Sequence, residues 1–368
     1  NAGEFTNTLP IYQENKVIYW YYKADNNIDF IQVPNIESME VEISKYIEDN
    51  FISCLGAGFE SYDNFEINYG IPKIATDIKS LEVVSRMEFP LNLRKGDLQF
   101  DFPDLYSVLD VPLGDIYSEA KRVYDANGEN LFFEYKTLDM MSFYEEVPVV
   151  GETDDCVAPI WVKENVKEDL KRILRDNMPF FRVKGTDYRE SENKKFFEME
   201  AGIVDDDLNV NFLYSDTWPF EFDAFPEDNG LLKGQSVTEM LGEARGIAEA
   251  FVCLSTYEFL YDVKYPVLVI LSKDDYTFQF ANMVVIDRNK PRENEDEFLV
   301  FEGYDQRFCN EQIEFTVYTT DKDYTDLDDV EIKYKCINHI CDLGRSRFGQ
   351  WSGKAPLCVG GEFTGSKE

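Results

Sequence analysis

The chain has one histidine, His339, in 368 residues, no C-x-x-C pair, and half as many basic as acidic side chains. Zinc ribbons and fingers need closely spaced Cys or Cys/His pairs, so that class is excluded. No glycine-rich phosphate loop, G-x-S-x-G elbow or H-E-x-x-H helix appears, which removes the common nucleotide, serine-hydrolase and metalloprotease signatures. No apolar run of about 18 residues occurs, so no membrane-spanning helix is expected here. The chain's opening residues do not have the pattern of a secretory signal, and none is expected within this sequence. It opens on Asn1 with Gly3-Glu4-Phe5 resembling vector-derived residues, and the expectation is a trimmed ectodomain.

The scarcity of basic side chains has its own consequence. Thirty-six Lys and Arg against 72 Asp and Glu leave a net charge of -36. Such a surface repels phosphate backbones and anionic lipid heads, which disfavours nucleic acid and polybasic membrane docking. Dispersed carboxylates read first as a solvated face. Adaptation to high salt and loading with calcium are the sharper alternatives, and the retained lysines weigh against extreme halophily.

What is present is enough to fold. Hydrophobic residues make up 44%, with 29 Phe, 22 Tyr and 4 Trp, ample to offset chain entropy. The length predicts two or three domains. Seven cysteines, at 54, 156, 253, 309, 336, 341 and 358, fit disulfides in an oxidising compartment, with one thiol left over.

Along the chain, Ile36, Met39, Ile43, Ile47, Phe51 and Cys54 step at helical intervals, with Ser38 as the expected cap. Phe65 to Tyr69 and Leu81 to Phe89 alternate as strands, with Ile74 and Ile78 in an intervening strand and a hairpin turn expected at 77–80. The 1–150 region is therefore expected to be an α+β domain, a helix on an antiparallel sheet. A helical stretch from Leu113 to Tyr144 should break at Asn127-Gly128. The 151–296 region reads as a mixed, largely helical middle domain. Its stripe of Val162, Val166, Leu170, Ile173 and Leu174 is supported by a Glu168/Arg172 pair, and a capping box at Ser236 to Glu239 opens a long helix over 237–259. Val267 to Leu271 and Met283 to Ile286 read as buried strands about an Asp274-Asp275 turn. Short strands beyond 297 predict a small immunoglobulin-like β-sandwich over 297–368.

Few constellations carry chemistry. Asp321, Asp323, Asp326 and Asp328 begin like a calcium loop, but Asp326 stands where an EF-hand needs Gly and Ile332 where it needs Glu, so a solvated turn is the stronger reading. Asp205-Asp206-Asp207 reads as a loop tip before it reads as a cation site. Cys336-Ile337-Asn338-His339-Ile340-Cys341 invites a metal or Cys/His nucleophile, yet fits a short disulfide loop or two cysteines that pair elsewhere. No catalytic residue is assigned. Tyr19-Trp20-Tyr21-Tyr22 and Trp218 to Phe222 read as core-facing aromatic strands before glycan or protein contacts.

Several segments carry a resemblance: Ile18-Tyr19-Trp20-Tyr21-Tyr22, Asn68-Tyr69-Gly70-Ile71-Pro72 with Phe89-Pro90-Leu91, Phe278-Gln279-Phe280-Ala281 leading to Asn289-Lys290-Pro291-Arg292, then Cys336, Cys341-Asp342-Leu343-Gly344 and Cys358-Val359-Gly360-Gly361. Together they resemble uncharacterised membrane-anchored surface proteins of small-genome, symbiotic DPANN-group archaea. The resemblance implies a location on the outer face of the cell membrane or beyond it, through an anchor expected upstream of this sequence. It implies no activity. On that footing an upstream cysteine would partner Cys54, and Cys309, Cys336, Cys341 and Cys358 would form two disulfides in one of three connectivities. The expected function is a non-enzymatic ectodomain that binds a protein or envelope glycan or builds the envelope. A carboxylate-dependent polysaccharide hydrolase and a pilus-like subunit are the alternatives, with no cofactor required and calcium optional.

Overall fold

A computed structural model describes residues 7–12, 15–24, 28–59, 65–154, 157–188, 195–236, 254–292, 313–321, 325–336, 339–355 and 362–367. Among the described residues the chain is mostly β, 48% strand against 25% helix, with four α-helices. The expected layout with a helical middle is overturned: α4 is the only α-helix described between 151 and 296. Segments such as Leu208–Leu213, with Leu, Val and Phe at alternate positions, have the strand period and pair accordingly.

In chain order the elements are β1 (Thr8–Tyr12), β2 (Asn15–Lys23), β3 (Asp29–Ile31), α1 (Ile36–Phe59), β4 (Glu66–Tyr69), β5 (Lys73–Ile78), β6 (Val83–Lys95), β7 (Leu98–Leu109), α2 (Leu113–Asn130) and α3 (Phe132–Phe143). Then come β8 (Val150–Thr153), β9 (Ile160–Val162), α4 (Lys163–Asn177), β10 (Arg182–Val183), β11 (Glu198–Met199), β12 (Leu208–Leu213), β13 (Glu221–Phe225), β14 (Leu231–Lys233), β15 (Gln235–Ser236) and β16 (Ser255–Glu258). Last are β17 (Leu260–Lys273), β18 (Tyr276–Asp287), β19 (Lys290–Pro291), β20 (Ile313–Tyr318), β21 (Glu331–Cys336), β22 (His339–Arg345), β23 (Gln350–Ala355) and β24 (Glu362–Ser366). Two compact units draw on interleaved segments: 1–125, 180–213 and 267–283 form one, and 126–179, 214–266 and 284–368 the other.

In the first unit, strands run β1-β2-β18-β17-β12, with β18 parallel to β2. Trp20 is its anchor. Its ring stacks on Phe280 at 4.0 Å and takes the edges of Tyr117 and Tyr124, so the aromatic run at 19–22 is core, as its composition implied. A separate sheet joins β4 and β5 to one edge of β6 and β7 to the other. Asn35, not Ser38, caps α1: its Oδ1 accepts the Ser38 N–H at 2.7 Å.

In the second unit, α2 ends and α3 begins around Leu131, whose φ of 48° makes the break, not Asn127-Gly128. Asn127 instead turns inward and its Oδ1 accepts the Phe133 N–H at 3.1 Å. In α4 the buried stripe is Val166, Leu170, Ile173 and Leu174, while Val162 sits in β9. The expected Glu168/Arg172 pair is replaced by Arg172 with Asp169 and Lys171 with Glu168, both at i,i+3. Most of the expected 237–259 helix lies outside the described residues, but its last part is the strand β16, paired antiparallel to β8 and β15. Asn289, at φ 59° in the turn between β18 and β19, is buried. It accepts the Tyr261 N–H and donates to the Phe259 carbonyl, holding that turn to the start of β17.

The C-terminal strands do not make the immunoglobulin layout. Those described are antiparallel pairs in a two-stranded β20-β23 sheet and a three-stranded β22-β21-β24 sheet, about a small core of Tyr334, Cys341 and Ala355. Among the described residues of 297–368 there are five short strands, fewer than the seven of that sandwich.

Candidate functional site

In the loop of Asp321, Asp326 and Asp328, where calcium is the weaker reading beside a solvated turn, the described carboxylates face loop backbone. Asp321 Oδ1 accepts the Thr325 N–H at 2.9 Å, and Asp328 Oδ1 accepts the Gly349 N–H at 2.8 Å. Asp326 lies under Gly349 so closely that a Cβ there would come within 2.7 Å of its carboxylate, and Gly349 has φ of 69°. Asp321 and Asp328 thus tie down loop backbone, while Asp323 lies outside the described residues. Among the described residues no group of three His, Cys, Asp or Glu is placed to hold a metal ion.

Asp205 likewise serves a lysine. Lys273 Nζ reaches Asp205 Oδ2 at 2.6 Å and Asp115 Oδ2 at 2.7 Å. Burial alone would raise the Asp205 pKa, but the Lys273 hydrogen bond and the N–H groups of Asp207 and Leu208 hold it below the ordinary value. Nearby Glu119 is raised, chiefly by burial.

Of the disulfide candidates, Cys341 is buried in the C-terminal core and disulfide-bonded. Cys336 ends β21, where the backbone register sets it opposite His339; both side chains lie outside the described residues, as do Cys309 and Cys358. Cys54 is a free, exposed thiol on α1.

One buried acid stands apart. Glu134 on α3 is fully buried, with Arg292 Nε at 3.2 Å from its Oε1. Burial raises its pKa, against the pull of Arg292 and neighbouring backbone N–H groups. A glycosidase needs a second carboxyl facing the first. The charge acting most strongly on Glu134 is a guanidinium, which makes the pair a structural one.

The surface that stands out is strand β7, where the sequence pattern raised no expectation. Its signal is Gly96-Asp97 between two alternating runs, a two-residue hairpin turn with Gly96 at φ 59°. β7 pairs with β6 from Lys95↔Leu98 to Val83↔Leu109, and no strand among the described residues pairs with its outer side. Strand alternation puts Leu98, Phe100, Tyr106 and Val108 on one face and Leu105 and Leu109 on the other. All six are exposed, Tyr106 at 80% and Leu98 at 61%.

The opposite edge of the same sheet is treated differently. The N–H groups of Ile74, Thr76 and Ile78 in β5 donate to Glu48 Oε1 at 2.7 Å, Ser44 Oγ at 3.0 Å and Glu40 Oε1 at 2.8 Å on α1. Four helical residues advance about 6.0 Å and two strand residues about 6.6 Å, so an i, i+4, i+8 ladder matches alternate strand donors. The helix closes that edge as another strand would. Edge strands are ordinarily blunted by cover, by lysine or by proline; β7 has no cover among the described residues and no lysine or arginine, and its interruptions are Pro103, which has no N–H to offer, and the charges of Asp101 and Asp104.

Comparison of the chain with protein-family models, curated proteins and solved structures gave no match.

Proposed function

We propose that this chain is a protein-binding module, and that it binds by accepting an extended segment of another protein along the open edge of β7. The observation that carries the reading is the asymmetry of one sheet, closed by α1 at β5 and, among the described residues, without a neighbour along the outer edge of β7 on either side of Pro103. Strand addition takes affinity from main-chain hydrogen bonds and selectivity from alternate side chains, and β7 offers apolar side chains on both faces. The α1 stripe is consistent with a surface awaiting a partner: Met39, Ile43, Ile47 and Phe51 are only half-buried. A site on the outer face of the cell, with binding instead of catalysis, is the setting favoured by the cysteine content and by the resemblance of the sequence to archaeal surface proteins. The reading requires no cofactor; a chelator is expected to leave the melting temperature unchanged.

The test is positional. A benzophenone side chain at 106 is expected to give a discrete cross-linked adduct with an envelope extract, absent when the probe sits at exposed Ile160, and lost when Val108→Lys is added. Equal yields at 106 and 160, or an adduct indifferent to Val108→Lys, would sink the proposal.

A further inference from the structure

The charge along the open edge specifies its occupant more closely, on the footing of the binding reading above. From Gly96 to Ala120 the sequence has no lysine or arginine, while Asp97, Asp101, Asp104 and Asp110 lie in or beside β7. None of these four is in an ion pair among the described residues; the partners of Asp101 are the neutral amides of Asn92 and Gln99, which leave its charge uncompensated. Strand alternation sends Asp101 to one face and Asp104 to the other, so each face of the edge presents apolar side chains beside a carboxylate.

We infer that the segment completing this sheet is a basic strand of a different protein, with apolar side chains alternating with Lys or Arg. Opposite charges across adjacent strands are stabilising and like charges directly opposed are not. On the face of Phe100 and Tyr106 a guanidinium or ammonium from such a strand reaches Asp104 while its stem lies over one of those rings, whose face attracts a cation; on the other face it reaches Asp101 beside Leu105. A second copy of this chain is the wrong occupant. It would lay Asp-bearing β7 against Asp-bearing β7 and bring together two bodies of net charge -36 each.

The experiment uses the full chain and three twelve-residue peptides that alternate Val with Lys, Thr or Glu, read by amide exchange along 98–109 and by titration. The Val/Lys peptide is expected to protect the β7 amides and to bind about tenfold tighter than Val/Thr at low ionic strength, a gap that closes with added salt. The Val/Glu peptide is expected not to bind. Asp101→Asn with Asp104→Asn should erase the Val/Lys advantage without altering the Val/Thr affinity. Equal binding of Val/Lys and Val/Thr, or a Val/Lys advantage that survives both substitutions, overturns the basic-strand inference and leaves strand addition intact. Protection of β7 by none of the three overturns strand addition itself. Concentration-dependent dimerisation that protects 98–109 without peptide assigns the edge to a second copy and overturns the inference.

Discussion

Ser44 Oγ accepts the backbone N–H of Thr76 at 3.0 Å and donates to the Glu40 carbonyl at 2.7 Å, so one hydroxyl joins a helix turn to the edge of a sheet. Glu40 and Glu48 repeat the contact one helical turn to either side. Ser44→Ala leaves a poorly solvated amide without a partner and is expected to cost about 1 kcal/mol, with the exchange of Thr76 accelerating before that of β6. Glu40→Gln keeps an acceptor and should cost much less than Glu40→Ala. Urea melts with residue-level exchange decide it: equal losses for the two Glu40 variants would mean that packing of the stem, not the hydrogen bond, holds α1.

The other edge behaves in the opposite way. Leu105→Lys and Val108→Lys replace exposed side chains, so the isolated chain should stay within about 0.5 kcal/mol of its original stability. A charged edge is a poor template for a further strand, so strand addition and edge-to-edge aggregation should both fall sharply. Light scattering on heating, beside a thermal melt, separates the two effects. A large drop in melting temperature for Val108→Lys would show that β7 is covered by something already in the fold.

How far this was legible in the sequence depends on whether the signal was local. The hydrophobic stripe of α1 and the Asp274-Asp275 turn each lie within a short window and are found where their patterns place them, whereas the hairpin expected to turn at 77–80 turns at 79–82, with Asp77 and Ile78 still paired in β5. The ladder of Glu40, Ser44 and Glu48 was hidden because polar positions opposite a hydrophobic stripe read as solvated, and only the third dimension brings β5 beneath them. The β-rich middle was missed for a related reason. Two- and three-residue strands such as β10 and β15 are too short to show a period and exist only through their partners. β7 was readable from Gly96-Asp97, but its open edge was not, because the absence of a neighbouring strand is a property of topology.

Lys273 supplies a pH-dependent test. Asp205 is held below its ordinary pKa in the folded chain, so its contribution to stability is present above the unfolded value of about 3.9 and is lost as pH falls through the lower folded value. Lys273→Met removes the hydrogen bonds to Asp205 and Asp115, and solvent screening limits the loss at pH 7 to about 1 kcal/mol. Glu119, already raised by burial and held back in part by Lys273, should rise further. Both changes act in one direction: the variant differs most from the parent near neutrality and least in acid. A difference in melting temperature that is constant from pH 3 to 7 would rule this account out.

Glu134 gives the reverse sign. Its folded pKa is raised by burial, so its contribution to stability is fully present below the unfolded value of about 4.3 and is lost as pH rises through the folded value. Glu134→Gln removes that titration and should flatten the stability profile on the alkaline side of this window. Arg292→Met leaves the buried carboxyl without its guanidinium. When Glu134 is ionised that loss should reach about 3 kcal/mol, because an uncompensated buried charge is costly, and it should shrink as acid protonates the group. The double variant decides between the pair and its members. Adding Glu134→Gln to Arg292→Met should recover most of the loss seen with Arg292→Met alone, since no charge remains to be compensated. Failure to recover would place the role of Arg292 in other contacts and remove Glu134 from the account of stability in this unit.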